Sequence, residues 1–159
     1  MKKMIILTAL AVLLGVATAT AQQIAVVSEG GETSVFTTLQ AAIEGAAPSS
    51  VIYLPGGSFP LPDNVKITKK LTIIGIGHKP NNDNVDGVTI ISGNLFFNEG
   101  SSGSAVMGCY LSGIVLIGDG GSIVNNTVVK CCNIGDFQIL NNQCLGTYIN
   151  QNYIRGRNS

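Results

Sequence analysis

The chain has 159 residues, nine Lys and Arg against nine Asp and Glu, and charged residues make up only 11% of it, where about 25% is usual. Gly occurs 20 times and Trp is absent. This balance argues against a nucleic-acid partner, which needs a basic footprint, and suits a turn-rich β protein with a buried apolar spine.

Lys2 and Lys3 precede an apolar stretch, Met4 to Val16, and Ala19-Thr20-Ala21 supplies a small-x-small pattern. That is the layout of a cleaved export signal, with the cut expected between Ala21 and Gln22. The apolar run falls short of the roughly 18 residues that span a bilayer, so no membrane span is expected in the mature chain. No Cys follows the apolar run to carry a lipid. The protein is expected to be exported, bacterial in style, and periplasmic, cell-surface or extracellular. Removing residues 1–21 leaves 138, enough for one domain with a real core. Both signal lysines leave with it, so nine basic residues become seven against nine acidic.

Gln22 to Val27 reads as an edge strand, followed by a polar turn, SEGGETS. A short helix comes next. Thr37 is the expected N-cap, with Gln40 three residues on completing a capping box. Phe36, Leu39, Ile43 and Ala46 have roughly helical spacing, and Gly45 sits where the helix would stop. Two turns are too few to stand alone, so packing must hold it. Strands are then expected at Val51–Leu54, Val65–Ile67, Leu71–Ile74, Val88–Ile91, Leu95–Phe97, Met107–Leu111 and Ile114–Ile117, with Pro55-Gly56-Gly57 as a turn. Nothing beyond residue 46 reads as a helix.

The last third repeats one phrase: SIVNNTVV from Ser122, QILNNQCL from Gln138 and TYINQNYI from Thr147. Apolar runs around an Asn-rich bend predict a parallel β-helix, with matching side chains stacked and asparagines forming ladders along the stack. Strand starts at 51, 71 and 88 suggest a coil of about 20 residues. The Asn-rich phrases step unevenly, by 16 and then 9 residues, which predicts irregular coils. An antiparallel sandwich also accommodates short, regularly spaced strands. Against it, no Asn-Gly or Asp-Gly hairpin turn lies between alternating strands.

The segment FTTLQAAIEGAAPSSVIYLPGGSF, continued by VKITKKLTIIGIG, resembles the N-terminal part of the pectin-lyase-like superfamily of right-handed parallel β-helices. The likeness covers residues 36–77, and beyond them only a general rung pattern. It implies an all-β solenoid with a short N-terminal capping helix: residues 22–60 as cap and first rung, residues 61–159 as rungs. An amphipathic helix over the first rung would block an edge otherwise open to aggregation. At the other end Tyr153-Ile154-Arg155-Gly156 reads as one more rung with no cap after it. Either the chain is a fragment of a longer protein, or a partner covers the last rung.

The superfamily contains lyases, hydrolases, esterases and adhesins, so the fold does not fix function. A lyase of this kind uses calcium-binding carboxylates with an Arg or Lys base, and a hydrolase needs paired carboxylates. Here Glu29, Glu32, Glu44, Asp63, Asp83, Asp86, Glu99, Asp119 and Asp136 are scattered singly, and the arginines are Arg155 and Arg157. Lys130 and Asp136 are expected to share a region as a solvated pair. Asn82, Asn84 and Asp86, with Gly87 after them, imitate positions 1, 3, 5 and 6 of a calcium loop. Position 1 is Asn, however, and position 12 is Gly93 instead of Glu. His78 is the only His and there is no CxxC, which argues against zinc. Cys109 and Cys131, 22 apart, are expected to stack within disulfide reach, as buried free thiols or as a bridge. Phe96, Phe97 and Phe137 are expected in the core, and Tyr148 and Tyr153 on opposite faces. The Asn125-Asn126-Thr127 sequon is discounted beside a bacterial signal.

These readings predict a non-catalytic exported module that binds polysaccharide or cell-surface glycan, or serves as an adhesin-like scaffold, without a cofactor. The alternative is the N-terminal part of a polysaccharide lyase or glycoside hydrolase whose catalytic residues lie beyond residue 159.

Overall fold

The computed structural model describes residues 22–62, 65–77 and 87–154. Residues 1–21, expected as an export signal, lie outside the described residues, as do Asp63, His78, the Asn82–Asp86 loop and both arginines. The described chain is mostly β. In order it forms β1 (Ile24–Val27), β2 (Thr33–Phe36), α1 (Leu39–Gly45), β3 (Val51–Leu54), β4 (Gly57–Pro60), β5 (Val65–Ile67), β6 (Thr72–Gly75) and β7 (Thr89–Ser92). Then come β8 (Leu95–Phe97), β9 (Ala105–Met107), β10 (Tyr110–Ile117), β11 (Val128–Lys130), β12 (Asn133–Ile139), β13 (Tyr148–Asn150) and β14 (Tyr153–Ile154).

One sheet runs β13-β11-β9-β6-β3-β1-β2 and the other β14-β12-β10-β7-β4, with β5 and β8 joined beside β10. Apart from the two pairs made by β1, the pairings are parallel. Parallel neighbours need a crossover, and here from β9 onward each crossover carries a strand of the opposite sheet. The register stacks like on like. Ile52, Ile73, Val106, Val129 and Ile149 form one column. Phe59, Ile91, Leu111, Ile134 and Ile154 form a second, and Ile67, Phe97, Ile117 and Ile139 a third. All but the last member of each column are at most 3% exposed. Each such side chain stabilises the fold by about 1.5–3 kcal/mol before entropy is set against it. Phe96 and Phe97 are buried and Phe137 packs against the core, as the sequence predicts.

The N-terminal region corrects two expectations. β1 is not an edge strand, because Thr33–Phe36, expected as turn and helix start, pairs antiparallel along it and β3 flanks its other side. The edge is β2. Nor is Thr37 the helix cap. Phe36 is held in β2, so the chain needs one more residue to turn, and the Thr38 hydroxyl accepts the Ala41 N–H at 3.2 Å. Gln40 does not close a capping box; its amide donates to Glu44 one turn on, at 2.8 Å. Leu39, Ala42 and Ile43 are buried, and α1 packs on β1 and β2. Gly45 matters for space: a Cβ there would lie 2.8 Å from the Phe36 ring. The Lys69 ammonium donates to the Glu44 and Ala46 carbonyls at 2.8 and 2.7 Å, placing a cation on the helix's negative end.

Two recurrent turns explain the asparagines. The strands β10, β12 and β14 are preceded by left-handed residues, Gly108, Cys131 and Gln151, and β9, β11 and β13 by Gly103, Asn126 and Gly146. Asn enters this region more easily than most residues. Other asparagines bond across to neighbouring backbone. Asn125 Oδ1 accepts the Leu145 N–H at 2.7 Å. Asn141 Nδ2 donates to the Gly121 and Ser122 carbonyls at 2.9 and 3.1 Å. Asn152 accepts the Cys132 N–H at 2.7 Å and donates to the Val129 carbonyl at 2.6 Å. Asparagine ladders are therefore replaced by amide-to-backbone bonds, because turn N–H and C=O groups need partners and one amide supplies both kinds. The three Asn-rich phrases occupy three different turns. Their 16- and 9-residue steps compare unlike positions, whereas paired strands near the end are 20 or 23 residues apart, as Ala105, Val128 and Tyr148 are.

Candidate functional site

β7 and β8 are separated by Gly93 and Asn94, while β10 passes the same level through a bulge. Leu111 pairs with Ile134 and Ile114 with Asp136, so Ser112 and Gly113 together face Gly135. A Cβ on Gly113 would lie 2.2 Å from the Gly93 carbonyl oxygen, and one on Gly135 would lie 2.7 Å from that of Ser112. Glycine at all three levels lets three successive strands bend together. Asn94 Oδ1 secures the bend by accepting the Ile114 N–H at 2.9 Å.

The bend opens a cleft of about 270 Å³ lined by Asn94, Ser112, Gly113, Ile114, Gly135 and Asp136. That is just under the usual size of a small-molecule pocket, and its shape is an open trough. Asp136 is held in place: Oδ1 accepts the Phe137 N–H and Oδ2 the Gln138 amide, both at 2.8 Å. Each carboxylate oxygen keeps further acceptor capacity. Ser112 is exposed and offers a hydroxyl, and the Asn94 amide nitrogen adds a donor type. The expected Lys130–Asp136 pair is not formed, since the Gln138 amide and Phe137 N–H meet this carboxylate instead. Among the described residues the ion pair joins Lys66 and Asp119 at 3.9 Å.

The other acids among the described residues stay apart. Glu29 and Glu32 lie at the β1–β2 turn, Glu44 on α1, Glu99 after β8, and Asp119 in the 3-10 turn Asp119–Gly121. Among the described residues no three His, Cys, Asp or Glu gather as a metal site; the Asn82, Asn84, Asp86 loop lies outside them. A second groove, on the outer face of the first sheet, is apolar and runs from Ala25 and Tyr53 to Ile74 and Ile76. Tyr148 and Tyr153 are exposed, on β13 and β14 and so on different sheets rather than on opposite faces of one strand.

The cysteine pairing also needs correction. Tyr110 pairs with Asn133, which sets Cys109 beside Cys132, and both are fully buried. Cys131 takes the left-handed turn, so its thiol leaves the core and meets Gln151 Oε1 at 3.1 Å. All four are free thiols. Burial pushes Cys132 up to about 11, and the neighbouring Cys131 adds to the rise. Cys109 is pushed further up, by burial first and then by Cys132 beside it. Such thiols are inert as nucleophiles.

The cleft residues sit in one short pattern, Gly93-Asn94, Ser112-Gly113 and Gly135-Asp136, spaced by about one strand-to-strand step. Sequence reasoning passed over it, although the recurrent Gly beside a polar residue was its visible signal. No helix among the described residues is long and apolar enough to cross a membrane. Comparison of the chain with protein-family models, curated proteins and solved structures finds no match. The class that can be stated is a β-rich protein built on parallel sheets.

Proposed function

We propose that this is an exported, right-handed parallel β-helix that binds polysaccharide or cell-surface glycan at its bend cleft and does not cleave it. The solenoid reading draws support from strands that alternate between two sheets, from recurrent left-handed turns, and from three stacked apolar columns. The β1–β2 hairpin with α1 would be its N-terminal cap.

The cleft carries the functional reading. It combines a fixed carboxylate, a hydroxyl and a side-chain amide with backbone laid bare by glycine. Sugar hydroxyls both donate and accept, so they suit such a mixed set. Among the described residues Asp136 is the one carboxylate lining the cleft, whereas hydrolysis of a glycosidic bond uses two flanking the bond. Its negative charge also favours neutral sugars over uronates.

The test is retention on immobilised neutral and uronate polysaccharides, comparing the unsubstituted protein with Asp136→Ala. Binding to a neutral glycan, weakened at least ~10-fold in the variant with unchanged melting temperature, supports the proposal. No binding across the panel contradicts it. New reducing or unsaturated ends would establish the lyase or hydrolase alternative instead.

A further inference from the structure

The inner face of the N-terminal strands changes character along its length. Val26 pairs with Ser34 on one side and Ile52 on the other, and directly paired side chains share a face of the sheet. Val26 and Ile52 are buried, so Ser34 lies on the inner face with them. Alternation carries that face on to Ser28, two residues after Val26, and to Ser50, two before Ile52. An apolar face therefore turns polar at its end. Glu32 sits against Ser28, whose hydroxyl accepts the Glu32 N–H at 3.1 Å. The chain leaving α1 at Gly45, Ala46 and Ala47 forms the other wall, and the cavity between them holds about 160 Å³.

The backbone around this pocket is already engaged. The Ser28 N–H donates to the Glu32 carbonyl at 2.9 Å and the Ser50 N–H to the Ala47 carbonyl at 3.2 Å. The Ser28 carbonyl accepts the Gly31 N–H, and the Ala46 carbonyl the Lys69 ammonium. A ligand therefore meets side chains: three serine hydroxyls and one carboxylate. Ser50 is the most telling of them. It is 1% exposed, yet its Oγ has no hydrogen-bond partner among the described residues, although buried hydroxyls are nearly always bonded.

We infer that this pocket binds the glyceryl group of a small neutral polyol, whose hydroxyls donate to Glu32 and bond to Ser34 and Ser50. Among the described residues Glu32 is the one ionisable side chain lining the pocket, so an anion would be repelled. Calcium takes about six to eight oxygens, more than one carboxylate and three hydroxyls supply. An ammonium only donates, and Lys69 already brings one to the Ala46 carbonyl. A hydroxyl donates to a carboxylate and meets a serine in either sense. Size agrees: a cavity of about 150 Å³ takes benzene with its six heavy atoms, as many as glycerol has, while a hexose has twice that number. The pocket thus excludes the rings of an oligosaccharide and shares no residue with the bend cleft.

The test follows the backbone amides of Ser28, Glu32, Ser34 and Ser50 by NMR while the full chain is titrated with glycerol. Saturable shifts at these amides together are expected, with a dissociation constant on the order of 1–10 mM. Propan-1-ol keeps the stem and one hydroxyl and should bind at least ~10-fold more weakly. Binding of 3-methoxypropane-1,2-diol as well would mark the glyceryl end of a larger molecule as the ligand, and binding of glycerol alone the free polyol. Glu32→Gln should weaken glycerol binding about 10-fold or more, and Ser50→Ala about 5–10-fold. Because Ser50 Oγ is unpartnered, Ser50→Ala should not lower the melting temperature of the unliganded protein, a readout that needs no ligand. No saturable shift at these amides, tighter binding of ethylammonium or calcium than of glycerol, or a lowered melting temperature for Ser50→Ala would each overturn the inference.

Discussion

Gly113→Ala tests the bend most severely. The added Cβ would lie 2.2 Å from the Gly93 oxygen and 2.6 Å from Asn94 Oδ1. Reaching even a tight 3.0 Å contact requires the neighbouring strand to move by about 0.8 Å, because the atom met is Gly93 backbone instead of a flexible side-chain end. Overpacking of this kind costs about 1–3 kcal/mol. Displacing Asn94 also endangers its 2.9 Å bond from the Ile114 N–H, worth about 1 kcal/mol more. The expected loss is therefore about 2–4 kcal/mol, a large part of a typical 5–15 kcal/mol stability. Urea unfolding should show the midpoint falling by roughly 1.3–2.7 M with an unchanged slope, taking a slope near 1.5 kcal/mol/M. Gly30→Ala is the control, since its nearest atom would be Ser28 Oγ at 3.9 Å, and it should stay within about 0.5 kcal/mol. Equal, small effects of the two substitutions would refute the glycine-bend argument.

Other expectations follow from the same contacts. Thr38→Ala should cost about 1 kcal/mol through loss of the cap, while Thr37→Ala should be near neutral; the reverse order in thermal unfolding would restore Thr37 as the cap. Asn152→Ala strands the Cys132 N–H and the Val129 carbonyl and should cost about 1–3 kcal/mol, against almost nothing for exposed Asn142→Ala. The buried thiols give a pH signature. Their folded values are raised above the ordinary value near 9, so the stability they confer is complete below pH 9 and is lost as pH rises toward 11. Each removes up to about 1.4 kcal/mol per pH unit in that window. Cys132→Ala should flatten the decline between pH 9 and 11, and an unchanged slope would contradict the assigned burial. Thiol labelling of the native protein should reach Cys131 and Cys144 well before Cys109 and Cys132.

The strands most legible in the sequence are those with dense β-branched or aromatic runs. Val51–Leu54, Val65–Ile67 and Leu95–Phe97 begin and end where their composition predicts. β4 is invisible by that criterion, because Gly57-Ser58-Phe59-Pro60 has poor strand propensity. It forms because β7 offers a partner, with Gly57 and Leu61 donating to Val88 and Ser92. β2 was masked by the Gly-rich turn before it. Met107–Leu111 reads as one strand, but left-handed Gly108 divides it into β9 and the start of β10. The Asn-rich phrase misled in one particular way. Similar words serve different turns, and only the strand register identifies which positions are equivalent. Cys131 and Cys132 show the same limit, since adjacent residues exchange places between core and turn according to a single backbone angle. In the cleft, Asp136 was visible as one acid among nine. Its placement beside Asn94 and Ser112 depends on the bulge, which no local pattern announces.

The proposal as a whole rests on the bend cleft, and amide chemical-shift mapping during titration with a neutral oligosaccharide tests it most directly. Binding should perturb Asn94, Ser112, Gly113, Ile114, Gly135 and Asp136 together and leave α1 unmoved. Shifts confined to the apolar groove around Tyr53, or none at saturating sugar, would contradict it.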